Sequence, residues 1–219
     1  MTNNTAREKN TNYQHFVIRD GKFVGEFEEM YQKFDDPWEQ SSREEYASDK
    51  AIALNIIQKY KCKNVVEFGS GFGHLTKRIS EIADNVVGIE VSTTATRKAR
   101  DRFPSLEFRC ASFPDIEFLR ENQPDCIVMA EITWYVLDKL DEFLLFLRSE
   151  MPHVLLIHLL ATYAPGVQQY GVEKFTNLRE ITDYFGMTVF ESGEIHYPDA
   201  EGASRTIFAG QMAKTSVGG

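Results

Sequence analysis

Apolar residues along the chain keep two rhythms. Short, nearly continuous apolar runs at 64–68, 86–91, 106–112, 123–131 and 153–161 read as buried strands, and 187–195 with 205–213 reads as a terminal antiparallel pair. Between them, apolar positions recur at helical spacing. Leu75, Ile79 and Ile82 share one face over 74–83, residues 94–103 form the next helix, Leu140, Phe143, Leu144 and Leu147 face inward over 138–151, and 175–185 follows. Strand alternating with helix predicts an α/β fold with a mostly parallel sheet.

The first 60 residues have another character. Residues 1–20 read as a disordered or extended arm. Phe23, Phe27, Met30, Tyr31 and Phe34 then lie at helical spacing over 21–34, and Pro37 ends that segment. A capping box at 41–44 predicts a second helix carrying Tyr46, Lys50, Ala53 and Ile57. The expected organisation is therefore an arm (1–20), a helical cap (21–60) and a core (61–219).

Composition narrows the function classes. With 219 residues, 42% of them hydrophobic, the chain can bury one core and a small cap. A net charge of -9 disfavours a surface that grips nucleic acid through many phosphates. The longest apolar run, 154–161, is broken by His158 and is far shorter than the roughly 20 residues needed to span a bilayer. Residues 1–10 are polar with no apolar signal region, so a cytoplasmic location is expected. Cys62, Cys110 and Cys126 are widely spaced, lack a C-x-x-C pair and make no metal pattern with the histidines; reduced thiols and no metal are expected.

The chemistry concentrates at residues 64–74, where an apolar strand ends in Glu67 and Phe68 before Gly69, Ser70, Gly71 and Gly73. Alternating glycines let a backbone turn sharply and approach a ligand. A dinucleotide fingerprint needs its third glycine at position 74, which is His74 here. Glu90, followed by Val91, ends the next strand about 20 residues on, a spacing suited to a carboxylate on ribose hydroxyls. No arginine follows closely, so a 2′-phosphate is not expected.

The pattern E-x-G-x-G-x-G from Glu67 to Gly73 resembles motif I of the class I S-adenosylmethionine (SAM) dependent methyltransferases. The resemblance implies a Rossmann-like sheet of seven strands with helices on both faces, SAM as methyl donor and S-adenosylhomocysteine as product. It places Glu67 on the cofactor's ammonium group, the glycine loop along its methionine end, and Ala111, Ser112 and Phe113 at the adenine. The family's usual Asp is missing from that last loop, which leaves Asp115 as a substitute. Ala130 and Glu131 fall at the end of the motif IV strand.

A second resemblance lies upstream. The Asp-Pro-Trp turn at 36–38, followed by Tyr46 and Lys50 four residues apart, is similar to the nodulation N-methyltransferases that act on chitin oligosaccharides. By that likeness Trp38 and Tyr46 cover the cofactor, and Lys50 or Arg43 pairs with its carboxylate. Otherwise Trp38 and Tyr46 are packing aromatics.

Three residues are candidate bases: Glu131, Tyr135 and His158, the last either a catalyst or a satisfied core residue. Trp134 either flanks the transferring methyl or plugs the sheet edge. Tyr163, Gln168 and Tyr170, in a Gly- and Pro-hinged loop, are candidate acceptor contacts. The expected function is methyl transfer to an N or O atom of a small polar acceptor, an amino or hydroxy sugar above all. The alternatives are an O-methyltransferase for a phenol or other small natural product, and a SAM-binding module without catalysis.

Overall fold

The computed structural model describes residues 13–43, 47–164, 166–168, 170–196 and 203–213. Tyr46 and the arm over 1–12 lie outside the described residues, as do 197–202 in the expected terminal loop and the side chain of Arg43.

Two short strands, β1 (Ile18–Arg19) and β2 (Lys22–Phe23), pair as a hairpin. Helices α1 (Phe27–Lys33), α2 (Gln40–Arg43) and α3 (Ser48–Lys59) follow. The core continues as β3 (Asn64–Phe68), α4 (His74–Ile79), β4 (Asn85–Glu90), α5 (Thr93–Arg102), β5 (Glu107–Cys110), α6 (Ile116–Asn122) and β6 (Cys126–Ala130). Then come α7 (Leu140–Glu150), β7 (Leu155–Thr162), α8 (Leu178–Phe185), β8 (Met187–His196) and β9 (Ser204–Met212).

The seven core strands make one sheet in the order β5-β4-β3-β6-β7-β9-β8. The first five run parallel, and β9 lies antiparallel to both of its neighbours. The order reverses at β3. The chain builds β4 and β5 on one side and then returns to lay β6 and β7 on the other, so β3 and β6 flank the crevice where a doubly wound sheet binds its ligand.

The pleat explains why strands with no polar face form here. Val65, Val128 and Ile157 point to the face covered by Ala53, Ile56 and Ile57 of α3 and by Leu75 and Ile79 of α4. Their neighbours Val66, Ile127 and Leu156 point to the other face, under α6, α7 and α8. All eight residues of β7 are buried. At about 1.5–3 kcal/mol for each large apolar side chain, burial on both faces outweighs any local preference for helix.

Several local expectations are corrected. Residues 13–20 are structured: Tyr13–Phe16 is a single 3-10 turn that leads into β1. Phe23 belongs to the hairpin, and α1 starts at Phe27 because Gly25, with φ at 72°, ends the strand. The helix placed at the 41–44 box is two helices. The Asp36 carboxylate accepts the N–H groups of Gln40 and Ser41 at 2.9 and 2.8 Å, so α2 starts one residue early, and α3 starts afresh at Ser48. Asp115 caps α6, a helix the apolar rhythm did not reveal, by accepting the N–H of Phe118. Of the three free cysteines, Cys62 and Cys126 are buried and Cys110 is exposed.

Candidate functional site

The turn after β3 brings three elements together. Gly69, Gly71 and Gly73 all have positive φ, at 75°, 55° and 78°. All three also admit close neighbours, Phe108 lying against Gly73. A Cβ at Gly69 would lie 2.0 Å from Cγ2 of Ile132, and one at Gly71 would lie 2.5 Å from Oε1 of Gln40. Gln40 reaches over the loop from the N-terminal segment, and its Oε1 accepts the N–H of Phe72 at 2.9 Å. Ser70 is buried and its hydroxyl has no hydrogen-bond partner among the described residues.

Both expected acids end adjacent strands. Glu67 is buried and accepts the Thr76 hydroxyl at 2.5 Å. Glu90 is buried too, with one oxygen accepting the N–H of Gly71 at 2.9 Å and the other that of Ser92 at 3.0 Å. Burial pushes the Glu90 carboxyl up, while its N–H donors hold it down. With the Val91 N–H acting on it too, the carboxylate still keeps a lone pair for a hydroxyl donor.

A third acid was hidden in the sequence. Glu28 of α1 accepts the Ser92 hydroxyl at 2.6 Å, the Thr94 N–H at 3.0 Å and the Thr94 hydroxyl at 2.6 Å, fastening α1 to the start of α5. Burial would raise its pKa, but these donors and Gln32 outweigh it and lower it to about 2. Its only sequence signal was a carboxylate on the polar face of a helix. Val17, Met30 and Tyr31 pack with Phe72 and Ala95, which seats the N-terminal segment on the glycine loop.

Beyond β5, Ala111 donates its N–H to the Glu90 carbonyl at 3.0 Å, and Val91 and Ser112 are exposed. Phe113 turns inward, 5.0 Å from Phe68 and 4.8 Å from Phe143 between ring centroids. Asp115 is occupied as the α6 cap and by Arg109 at 2.5 Å, so it is not a substitute adenine ligand.

At the end of β6, Ala130 leads into Glu131 and Tyr135. Aromatic rings gather there: Tyr135 lies 5.9 Å from Trp38, 5.5 Å from Phe27 and 6.3 Å from Phe23. Phe23 in turn is 5.9 Å from Tyr170, and Trp38 is 4.9 Å from Tyr13. Trp38 also donates to the buried Tyr31 hydroxyl. Burial, then Tyr163 and Glu131, push the Tyr135 hydroxyl up, so it stays protonated. Lys50 of α3 is close enough to Glu131 and His74 to influence both.

Three candidates sit elsewhere or face other work. His158 is not a base at this site. It is fully buried against Phe208 and Phe185, its Nε2 bonds the Thr133 hydroxyl at 2.6 Å, and burial lowers its pKa to about 3. Trp134 is core as well, donating to the Ala161 carbonyl at 2.8 Å with its ring 5.1 Å from Phe175. Gln168 donates to the Tyr170 carbonyl at 2.5 Å, inside its own loop. Tyr163, by contrast, is exposed beside Glu131 and Arg205. Arg205 was missed because it enters from β9, at the far end of the chain.

A glycine turn at the switch point of this sheet, with the last strand inserted antiparallel, defines the fold of the class I SAM-dependent methyltransferases. Residues 65–148 match the family model described as a methyltransferase domain. An uncharacterised methyltransferase of Geobacillus sp. (strain WCH70) is 36% identical over 84 residues, 37% of this chain and 39% of that protein. A ribosomal RNA small subunit methyltransferase A of Alkaliphilus oremlandii is 27% identical over 97 residues, 43% of this chain and 31% of that protein. The chain thus matches less than half the length of these curated relatives. Among solved structures, the N-methyltransferase NodS of Bradyrhizobium japonicum WM9, in complex with S-adenosylhomocysteine, superposes with a TM-score of 0.58 at 18% identity, over 81% of this chain and 93% of that one.

Proposed function

We propose that the chain is a SAM-dependent methyltransferase acting on an N or O atom of a small polar acceptor, an amino or hydroxy sugar in glycan or polysaccharide synthesis. The observation that carries this reading is the Glu90 clamp: a buried carboxylate at the end of β4 accepts the Gly71 N–H at 2.9 Å, holding the glycine turn beside Glu67. The residues present fit the cofactor. Glu67 would take its ammonium group, the turn over Gly69, Ser70, Gly71 and Gly73 its methionine end, Glu90 and Val91 its ribose, and Ala111, Ser112 and Phe113 its adenine. Trp38 would cover it, with Lys50 near its carboxylate, and Ala130 would line the methyl side. When bound, SAM supplies a methyl group already activated by a sulfonium.

The chain's own task is then positioning, which supplies roughly 7–11 kcal/mol in well-oriented reactions, against a factor of about 10² to 10⁴ from a general base. Tyr163 and Tyr170 would contact the acceptor. The net charge of -9 supports a small molecule over RNA, and among the described residues no helix is long and apolar enough to cross a membrane, in keeping with a cytoplasmic enzyme.

The ring cluster of Phe23, Phe27, Trp38 and Tyr135 favours one second reading, a phenolic or other planar acceptor. Titration calorimetry with SAM, followed by release of S-adenosylhomocysteine over a panel of amino sugars, neutral sugars and phenols, separates these readings. Glu90→Ala is expected to weaken SAM binding at least tenfold in a folded protein; unaltered affinity refutes the ribose role. Binding with no turnover on any acceptor would point to a module without catalysis.

A further inference from the structure

Glu131 is the residue at this site whose backbone and side chain are both left under strain. It has φ at 64°, a conformation a non-glycine residue holds only when its surroundings impose it. The imposition is visible: its N–H donates to the Leu159 carbonyl at 2.9 Å, and its Oε2 accepts the Ala161 N–H at 3.0 Å. Its other oxygen, Oε1, is buried and makes no hydrogen bond among the described residues. The nearest cation, Nε of Arg205 on β9, is 3.6 Å from Oε1, too far for a hydrogen bond. A buried carboxylate oxygen without a donor costs free energy, so its retention suggests a donor that arrives with the acceptor.

We infer that Glu131 receives the proton of an amine acceptor and that Arg205, reaching in from the terminal hairpin, positions and tunes it. This rests on the methyltransferase reading. The groups facing Glu131 are Asp49 and Lys50 from α3, Tyr135 from the turn after β6, Tyr163 after β7 and Arg205 from β9, with Tyr13 beside the two tyrosines. Burial holds the Glu131 carboxyl up, Asp49 adds to this, and Arg205 and Lys50 oppose it.

The proton accounting favours nitrogen. An amine docks as an ammonium, which the rings of Phe23, Phe27, Trp38 and Tyr135 suit. The ammonium gives one proton to Oε1, and the electron pair of that N–H bond stays on nitrogen as the lone pair needed for attack. Glu131 becomes a neutral acid, which its burial favours, and after transfer the proton leaves to solvent past the exposed Tyr163. A hydroxyl is a poor match. It holds its proton far more tightly than an alkylammonium, whose pKa is roughly 10.4, and so lies much farther from a carboxylate.

The test is carbon-13 NMR of glutamate carboxyls across pH, on SAM-loaded wild type, E131Q, R205M and R205K. One resonance titrating above the ordinary carboxylate range should vanish in E131Q. R205M should move its midpoint further up, and R205K should restore it. D-glucosamine should shift that resonance and D-glucose at the same concentration should not. Absence of any raised resonance assigned to Glu131, or an unmoved midpoint in R205M, overturns the pairing. An equal shift with glucose overturns the commitment to an amine. Calorimetry with SAM on the same samples keeps the two readings apart: intact SAM binding with no glucosamine response sinks this inference alone, whereas no SAM binding sinks the methyltransferase reading.

Discussion

At the scale of single residues, the role proposed for Glu131 and the stability of the fold pull in opposite directions. Its folded-state pKa is raised, mainly by burial, above the ordinary 4.5. Between those two values the folded state holds more protons than the unfolded one, so stability falls as pH rises through that window and stays lower above it. Glu131→Gln is therefore expected to melt with the wild type in acid and above it at neutral pH, as followed by thermal unfolding across pH. Glu131→Gly relieves the left-handed backbone at φ 64° as well, but it leaves the Ala161 N–H without its acceptor, so it should melt below the Gln variant. On the role proposed for Glu131, the Gln variant should lose turnover while gaining stability. A Gln variant no more stable than the wild type at neutral pH would mean that burial does not raise the Glu131 carboxyl. The acid at this position was legible from the sequence as the end of an apolar strand. Its backbone geometry was not, because nothing in the run from Ile127 to Tyr135 marks a left-handed turn the way a glycine would.

The elements divide by how far their partners lie along the chain. Core strands were readable because both faces are covered, so the local run of apolar residues is itself the packing signal, as in β7 with all eight residues buried. The N-terminal segment was read as aromatic and cap-like, but its boundaries slipped, because Asp36, Gly25 and Glu28 set them through contacts rather than rhythm. Glu28 joins helices 66 residues apart in its bond to Thr94. Glu28→Ala removes donors' partners at the start of α5, a loss on the scale of a helix cap, about 0.5–2 kcal/mol. Hydrogen exchange should quicken over 13–43 and leave β3, β6 and β7 protected. Because the Glu28 carboxyl is lowered to about 2, its contribution is complete above 4.5 and fades as pH falls toward 2. The same segment should therefore loosen in acid in the wild type. Uniform exchange across cap and core would show that α1 is not held by this carboxylate.

For the whole molecule, the mixed end of the sheet decides acid stability. His158 sits in β7 between the parallel strands and the antiparallel hairpin, stacked on Phe208 with ring centroids 4.9 Å apart. An apolar run interrupted by one histidine disclosed the strand but could not say whether the ring faced a site or the core; the hairpin that covers it comes later in the chain. Burial lowers its pKa from 6.5 to about 3, so between those values the unfolded chain binds a proton that the folded chain refuses. Stability must then fall as pH drops through that interval, by an amount on the order of 5 kcal/mol at about 1.4 kcal/mol per unit of pKa. The raised carboxyls of Glu90 and Glu131 act with the opposite sign, since acid relieves them. Replacing His158 alone would leave the Thr133 hydroxyl buried without its 2.6 Å partner. The cleaner variant pairs His158→Phe with Thr133→Val, removing both members of the bond. Its melting temperature should hold or rise between pH 6.5 and 4.5, where that of the wild type falls. Parallel acid profiles for the two proteins would show that the strand opens to water at His158 well before the sheet unfolds.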